Sequence, residues 1–260
     1  MNSILIKPEL VRFQNSLVQA MVTFGYKHND IHELNLQRLG SEYGGWWIPD
    51  ILLKNSRINN GTCISCGIGS DITFDIELQK RNFRIIALDP LQSSCDFATA
   101  NFPSLQNVTI INRGLWIESG SVPFFSPKNF NHDSWSINNS HLNKWSEIKS
   151  MECVTLQDIL EIYSISDETP NCILKMDIEG AEIAIIDSIV DLKFRFDYLC
   201  IELDYLSLIP FKNLITRIKR IWQVRNSLNL LEKKGYALCF TENYNFFWIK
   251  RENLRGGGGI

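Results

Sequence analysis

Short apolar runs alternate with longer amphipathic segments through most of the chain. Five of these runs have the length and residue types of buried strands, and the segments between them carry apolar residues at helical spacing. This alternation predicts a mostly parallel sheet in an α/β fold. Two further apolar segments close the chain, separated by a few polar residues, and predict an antiparallel strand pair. The predicted strands are residues 63–66, 85–88, 108–112, 172–176, 198–204, 236–241 and 245–250.

The N-terminal part of the chain does not follow this alternation. Residues 1–37 carry apolar residues at helical spacing, so residues 1–42 are predicted to form a helical extension or lid before a domain at 43–254. Residues 43–50 are aromatic and glycine-rich, which predicts a loop. Its adjacent tryptophans would either form the base of a ligand pocket or pack as a hydrophobic plug against one face of the core.

A second departure lies at residues 117–150, which are rich in Ser, Asn, Phe and Trp. A segment this long without a regular pattern is usually functional or disordered. We predict an insertion over the strand ends, with a hairpin near residues 122–125 and 153–155. The insertion contains His132 and His141; either would serve as a base, but ordinary surface histidines are the simpler interpretation.

Composition narrows the functional classes. The chain has 260 residues, 45% of them hydrophobic, and a net charge of −3, which favours neither a nucleic-acid partner nor a membrane surface. No apolar run approaches the ~18 residues of a membrane span, and the first twenty residues lack the order of a secretory signal.

Seven scattered cysteines predict reduced, buried thiols and a cytoplasmic location. Cys63 and Cys66 have redox spacing, but their predicted strand favours a core role. The glycine-rich residues 255–260 are predicted to be a flexible tail.

The first predicted strand leads into a glycine-containing turn. Gly67 and Gly69 permit a tight turn whose backbone can approach a ligand closely, and Ser70 or Asp71 can cap the helix that follows. The second strand ends in Asp89, twenty residues after Gly69. An acid at that distance commonly receives ribose hydroxyls, so the spacing predicts a nucleoside site. A plain strand-to-helix turn is the alternative interpretation.

The residues around the turn indicate which nucleoside would bind. A dinucleotide site has a third glycine where this chain has Ile72. Asp71 and Asp75 are expected at the start of the next helix, where two carboxylates repel a pyrophosphate. They favour a ligand that carries an ammonium or sulfonium group and no phosphate. That description fits S-adenosylmethionine.

Acidic residues follow several of the predicted strands. Because the carboxyl ends of parallel strands meet at one edge, Asp89, Asp177 and Glu202 or Asp204 are expected to converge there. The end of the third strand would lie beside the base of a bound nucleoside, which places the backbone of Gly114 and Leu115 near adenine. Zinc is not supported by any His or Cys cluster, and no metal site is predicted. Mg²⁺ on Asp177 with Glu202 or Asp204 is an unsupported alternative.

Three segments together resemble the FkbM-type class I S-adenosylmethionine-dependent methyltransferases. They are residues 66–75, 87–90, which end in Asp89-Pro90, and 174–182; residues 43–46 and 154–158 are also similar. The resemblance covers roughly residues 43–205, and its Lys-x-Asp-x-Glu-Gly-x-Glu block at 175–182 is more specific than the glycine turn. It implies a Rossmann-like seven-stranded sheet and methyl transfer, commonly to an oxygen of a sugar, lipid-linked glycan or secondary metabolite.

One position departs from the family pattern. Many members carry an acid two residues before the first glycine, where this chain has Ser65. Asp71 is therefore expected to make the contact with the cofactor's ammonium group. Glu179 and Glu182 would be either site residues or ordinary acids at a helix start.

The sequence therefore predicts a methyltransferase that acts on an oxygen of a small-molecule or glycan acceptor. Asp177 is placed near the methyl group, and Lys175, on the same strand face, points to the same edge. Three alternatives remain: an NAD-dependent oxidoreductase, a nucleic-acid methyltransferase, and a cofactor-binding protein without catalysis. The oligomeric state is not predicted. The predicted cofactor contacts are Gly67, Gly69, Asp71, Asp89, Pro90, Gly114 and Leu115.

Overall fold

The computed structural model describes residues 19–24, 36–49, 60–126, 135–137, 147–207 and 214–255. Residues 19–23 are helical. The strands in these ranges are β1 Leu36–Leu39, β2 Trp46–Pro49, β3 Thr62–Cys66, β4 Arg84–Leu88, β5 Val108–Ile111, β6 Gly114–Leu115, β7 Gly120–Phe125, β8 Ile148–Val154, β9 Cys172–Met176, β10 Tyr198–Glu202, β11 Tyr236–Glu242 and β12 Asn245–Lys250. The helices are α1 Thr73–Gln79, α2 Gln92–Asn101, α3 Leu156–Ile162, α4 Glu182–Asp191, α5 Asp204–Ser207, α6 Leu214–Lys234 and α7 Arg251–Arg255.

Seven strands form one sheet in the order β11-β12-β10-β9-β3-β4-β5. Neighbouring strands from β10 to β5 are parallel, whereas β12 runs antiparallel to both β10 and β11. The predicted mostly parallel seven-stranded sheet with an antiparallel C-terminal pair is confirmed. The chain direction reverses only in β12, which lies inside the sheet rather than at its edge. This topology is Rossmann-like.

The two central strands, β3 and β9, are buried along their whole length. Alternate residues of each strand face opposite layers, as the period of a strand requires. Ile64 and Leu174 pack in the cluster that includes side chains of α3, α4 and α6. Cys63 and Ile173 pack in a second cluster with side chains of α1, α2 and the β1–β2 hairpin. Both faces of the sheet are thus covered. The edges where loops connect the strands to the helices remain open for a binding site.

The N-terminal prediction is wrong in part. Leu36–Leu39 is a strand rather than the end of a helix, and the predicted loop at 43–50 contains β2. The two strands pair with each other as an antiparallel hairpin. This pairing, together with packing of the hairpin on the core, outweighs the local helical spacing. Trp46 is buried in the core, and the Trp47 indole donates to Glu242, so the tryptophans plug a face of the core. The predicted helix over residues 1–18 and 25–35 lies outside the described residues.

The predicted insertion contains part of a second, smaller sheet in the order β6-β8-β7. A hairpin pairing is present, but Val122 lies opposite Met151 and Cys153 lies opposite Gly120. The pairing therefore starts at Ile148, earlier than the predicted residue 153. His132 and His141 lie outside the described residues.

The C-terminal elements follow the predicted pattern. Helix α6 ends at Lys234, and Gly235 follows with a φ of +103°, a conformation in which glycine ends a helix without strain. Residues 256–260 of the predicted tail are outside the described ranges. Among the described helices, none is both long and apolar enough to cross a membrane.

Candidate active site

A cavity of about 460 Å³ opens at the edge of the sheet where the parallel strands end. It is bordered by the turns that follow β3, β4, β9 and β10, and by the small sheet. All nine residues predicted for the site line this cavity, although their contacts with a ligand stay predictions. They are Gly67, Gly69, Asp71, Asp89, Pro90, Gly114, Leu115, Lys175 and Asp177.

The turn after β3 is trapped between two neighbouring strands. The Gly67 N–H donates to the Leu88 carbonyl at 2.9 Å, and the Asp177 N–H donates to the Cys66 carbonyl at 3.0 Å. Gly67 has a φ of +79°, and a Cβ at this position would lie 1.7 Å from the Asp177 carbonyl oxygen. Only glycine fits here, because β3 and β9 approach too closely for a side chain.

Asp89 organises the same turn from the end of β4. One carboxylate oxygen accepts from the N–H groups of Ile68 and Gly69, both at 3.0 Å, and the other accepts from the Leu91 N–H at 2.8 Å. Burial raises the pKa of Asp89, while the three N–H donors oppose that shift. The carboxylate thus fixes the glycine turn and also faces the cavity, where the ribose contact is predicted.

Asp71 connects the turn to the β1–β2 hairpin. Its Oδ1 accepts from the N–H and the hydroxyl of Thr73, at 2.9 and 2.6 Å. Its Oδ2 accepts from the Ser41 hydroxyl and from the Gly44 N–H. Partial burial acts to raise its pKa, but these hydrogen bonds lower the pKa below the usual value. The prediction that Ser70 or Asp71 caps this helix is wrong, because α1 starts at Thr73 without a side-chain cap.

The second acid predicted at the start of α1 does not face the cavity. Asp75 is only 1% exposed and does not line the cavity, so only Asp71 of the two is placed to repel a phosphate there. Asp75 lies instead near the buried amine of Lys175, whose charge opposes the rise that burial causes in the pKa of Asp75. The Lys175 amine donates to the Gly67 carbonyl at 2.6 Å.

One wall of the cavity is acidic. Asp177, Glu179, Glu202 and Asp204 all line it, so the strand-end acids meet at one edge. Burial, with added repulsion from Asp177, raises the pKa of Glu202 to about 8. Burial likewise raises the pKa values of Asp177 and Asp204, and Lys175 opposes the shift at Asp177. Burial and mutual repulsion therefore favour the protonated form of these acids, or a cationic group beside them.

Three of these acids are spaced closely enough to consider a metal. One oxygen each from Asp177, Glu179 and Asp204 lies within 4.8 Å of the others. Oxygen ligands at this spacing are compatible with Mg²⁺. A group of acids does not establish a metal site by itself, and we propose none. Glu182 is different, because it is fully buried at the start of α4, does not line the cavity, and accepts from the Gly180 N–H.

The acidic wall predicts a pH dependence of stability. An unfolded glutamate titrates near 4.5, whereas Glu202 in the folded protein titrates near 8. Between these values the folded protein holds a proton that the unfolded chain has released, so the free energy of unfolding falls as the pH rises toward 8. Urea unfolding at several pH values should show this decline. Glu202→Gln should make the decline shallower, with the rest due to the other buried acids, and the exposed Glu118→Gln should not change it. Equal curves for wild type and Glu202→Gln would contradict the assignment.

Part of the cavity wall is apolar, and the residues that form it were not predicted individually. Phe124 of β7 lines it together with Trp135 and Ile137. The Ser136 hydroxyl donates to the Glu179 carbonyl, which ties this segment to the turn after β9. The aromatic content of the insertion was the available signal. The spacing of those residues could not indicate which of them would reach the cavity.

All seven cysteines are buried and free of disulfides, which confirms the predicted reduced thiols. Burial raises the pKa of Cys66 to about 12, and that of Cys63 well above its usual value. A thiol that resists ionisation is a poor nucleophile. The pair therefore belongs to the core, despite its redox spacing.

Comparison with known proteins gives one informative match. No curated protein is similar enough in sequence to count as a match. Two solved structures superpose weakly. The fibrillarin pre-rRNA processing protein of Methanococcus jannaschii is 8% identical, with 86% of both chains covered and a TM-score of 0.39. The precorrin-6y C5,15-methyltransferase of Geobacter metallireducens GS-15 is 15% identical, with 77% of this chain and 84% of that chain covered and a TM-score of 0.33. We base no conclusion on either likeness.

The family comparison is the informative one. The model of the methyltransferase FkbM domain matches residues 48–237, which include the central strands and every predicted site residue. Family membership implies S-adenosylmethionine as the methyl donor. The chain belongs to the FkbM-domain methyltransferases.

Proposed function

We propose that this protein transfers the methyl group of S-adenosylmethionine to an oxygen of a sugar, glycan or small-metabolite acceptor. The observation that carries the proposal is the convergence of the glycine turn, Asp89 and Asp177 on one cavity. Its volume of about 460 Å³ falls in the range of small-molecule sites. The bound donor would supply an electrophilic methyl group on a sulfonium sulfur.

The cavity's ends suit the two parts of the donor. Asp89, Pro90, Gly114 and Leu115 lie on the β4–β5 side, where we place the nucleoside. Gly67 and Asp177 lie toward β9, where we place the methionine part and the reacting centre. The protein's main task in a direct displacement is to align the acceptor oxygen with the methyl carbon and sulfur.

The acceptor would lie between two unlike walls. Phe124, Trp135 and Ile137 offer an apolar surface, and the carboxyl groups of the cavity accept hydrogen bonds from hydroxyls. A molecule with hydroxyl groups and an apolar face suits both walls. The carboxyl groups and the net charge of −3 disfavour a nucleic-acid acceptor. The free, buried thiols also support a reducing, cytoplasmic location.

Asp177 is proposed to receive the proton of the acceptor hydroxyl. It borders the cavity directly after β9. Burial raises its pKa and Lys175 offsets part of that rise, so its carboxylate is a stronger base than that of an exposed aspartate. Asp177 would take the hydroxyl proton while the acceptor oxygen receives the methyl group, and the bound donor would leave as S-adenosylhomocysteine. General bases of this kind contribute roughly 10²–10⁴-fold to a rate.

A methyl-transfer assay tests this proposal. Labelled S-adenosylmethionine is incubated with neutral sugars, glycans, hydroxylated metabolites and RNA, and transfer to a hydroxylated small molecule or glycan is expected. Asp177→Asn should reduce kcat about 100-fold, with S-adenosylhomocysteine affinity within about threefold of wild type. Labelling of RNA alone would overturn the proposed acceptor class. An unchanged kcat in Asp177→Asn would remove Asp177 as the base.

A further inference from the structure

Lys175 is a lysine buried near the centre of the sheet. It is 3% exposed, and its partner in the β3 register is Ser65. Its side chain extends past that partner toward the carboxyl edge, where the amine donates to the Gly67 carbonyl at 2.6 Å. A hydrogen bond from a charged donor is stronger than one between neutral groups. The hydrogen bond of the Lys175 amine is thus made to the glycine turn.

The Gly67 carbonyl has an orientation that the surrounding backbone restricts. The Gly67 N–H is held by the Leu88 carbonyl, and the Asp177 backbone packs against the Gly67 α-carbon. A backbone carbonyl has two lone pairs, of which Lys175 takes one. Gly67 itself lines the cavity, where a donor in the ligand would be the partner for the second lone pair. By contrast, each carboxylate oxygen of Asp71 already accepts two hydrogen bonds.

Carboxyl groups surround the Lys175 amine. Burial alone would lower the pKa of Lys175, but Asp177, Asp75 and Glu202 together raise it above the ordinary lysine value. Asp75 approaches from α1 and is 1% exposed. The neighbouring Ser65 hydroxyl and the Lys175 charge both oppose the rise that burial causes in the pKa of Asp75. A buried carboxylate in this position is stabilised by the lysine charge.

We propose that Lys175 is a positioning residue for the methyl donor, and that Asp75 supports it. Lys175 holds the Gly67 carbonyl so that its second lone pair accepts the ammonium group of the donor's methionine part. Asp75 balances the lysine charge from behind the turn, which offsets the repulsion between the two cations. This inference rests on the proposed function, since it assumes that the donor binds with its methionine part toward β9.

Binding measurements on Lys175→Met test the inference. The variant keeps the length of the side chain and removes its amine. We expect about a tenfold loss of affinity for S-adenosylhomocysteine, and less than a threefold loss for adenosine, which lacks the methionine part. Lys234→Met is the matched control, because the Lys234 amine also donates to a backbone carbonyl, that of Val190, away from the cavity. That variant should bind both ligands as the wild type does.

A double variant separates positioning from stability. Lys175→Met alone leaves Asp75 as a buried charge without its counter-charge, which lowers the melting temperature. Asp75→Asn/Lys175→Met should recover part of that loss, because Asp75 is no longer a buried charge without a partner, while Asp177 and Glu202 still lack the lysine charge. Its affinity for S-adenosylhomocysteine should stay low, because the Gly67 carbonyl still lacks its donor.

Three results would overturn the inference. They are wild-type affinity in Lys175→Met, equal losses for S-adenosylhomocysteine and adenosine, and recovery of affinity together with stability in the double variant. If the wild-type protein itself did not bind S-adenosylhomocysteine, the proposed function would fail with it. Binding by the wild type, together with any of the three results, would remove only the role assigned to Lys175.

Discussion

Asp89→Ala should weaken the binding of S-adenosylhomocysteine about a hundredfold. The substitution removes the acceptor of three backbone N–H groups, those of Ile68, Gly69 and Leu91. Hydrogen bonds to a charged group contribute roughly 1.5–3 kcal/mol each, and unpaired buried N–H groups are costly. The glycine turn would lose its fixed shape, and the predicted contact with ribose hydroxyls would be lost with it. Calorimetric titration measures the change.

Asp197→Ala is the matched control for this experiment. One Asp197 carboxylate oxygen accepts from the Cys172 N–H at 2.8 Å, and the other accepts from the Asn253 side chain. Cys172 begins β9, so Asp197 lies at the opposite edge of the sheet from the cavity. Its replacement should lower stability and leave ligand affinity unchanged. Equal losses of affinity in both variants would mean that Asp89 acts through general stability and not at a binding site.

Gly67→Ala should have the largest effect on stability. The added Cβ would lie 1.7 Å from the Asp177 carbonyl oxygen, and the φ of +79° is unfavourable for alanine. The clash is between backbone atoms, so a change of rotamer cannot relieve it, and β3 must move away from β9. We expect a loss of more than about 3 kcal/mol in the free energy of unfolding, measured with urea, and no measurable ligand binding.

Gly69→Ala distinguishes the close approach from the backbone conformation. Gly69 also has a positive φ, +53°, but a Cβ there would meet nothing within 4 Å. An alanine in this conformation costs roughly 1–2 kcal/mol. Similar losses at the two positions would show that packing of the Gly67 turn against Asp177 is not as tight as the structure indicates.

The sheet was predictable from the sequence because its strands are buried on both faces. Runs such as Cys172–Met176 are short, apolar and followed by an acid, and parallel topology brings those acids to one edge. Asp89 and Asp177 could therefore be assigned to one cavity before their distances were known. The glycine turn was equally local, since its spacing and the following acid lie within one βαβ unit.

The missed features depend on pairing and packing that the spacing of apolar residues does not show. Pairing of Leu36–Leu39 with Trp46–Pro49 replaced the expected helical and loop conformations, because each strand is stabilised by the other and by the core beneath. The Ser41 hydroxyl donates a hydrogen bond to Asp71, which lies thirty positions later in the chain. Trp135 reaches the cavity only because the segment around Ser136 bridges to Phe125 of β7. No local pattern carries such information.

The most direct test of the methyltransferase assignment is a calorimetric titration of the purified protein with S-adenosylhomocysteine and, separately, with NAD. Each titration is run with and without Mg²⁺, and then repeated on Asp89→Ala. We expect micromolar binding of S-adenosylhomocysteine that Asp89→Ala abolishes or strongly weakens, and no binding of NAD. Binding of NAD alone would contradict the account and indicate an oxidoreductase, and binding of neither would indicate a protein that has kept the fold without its cofactor.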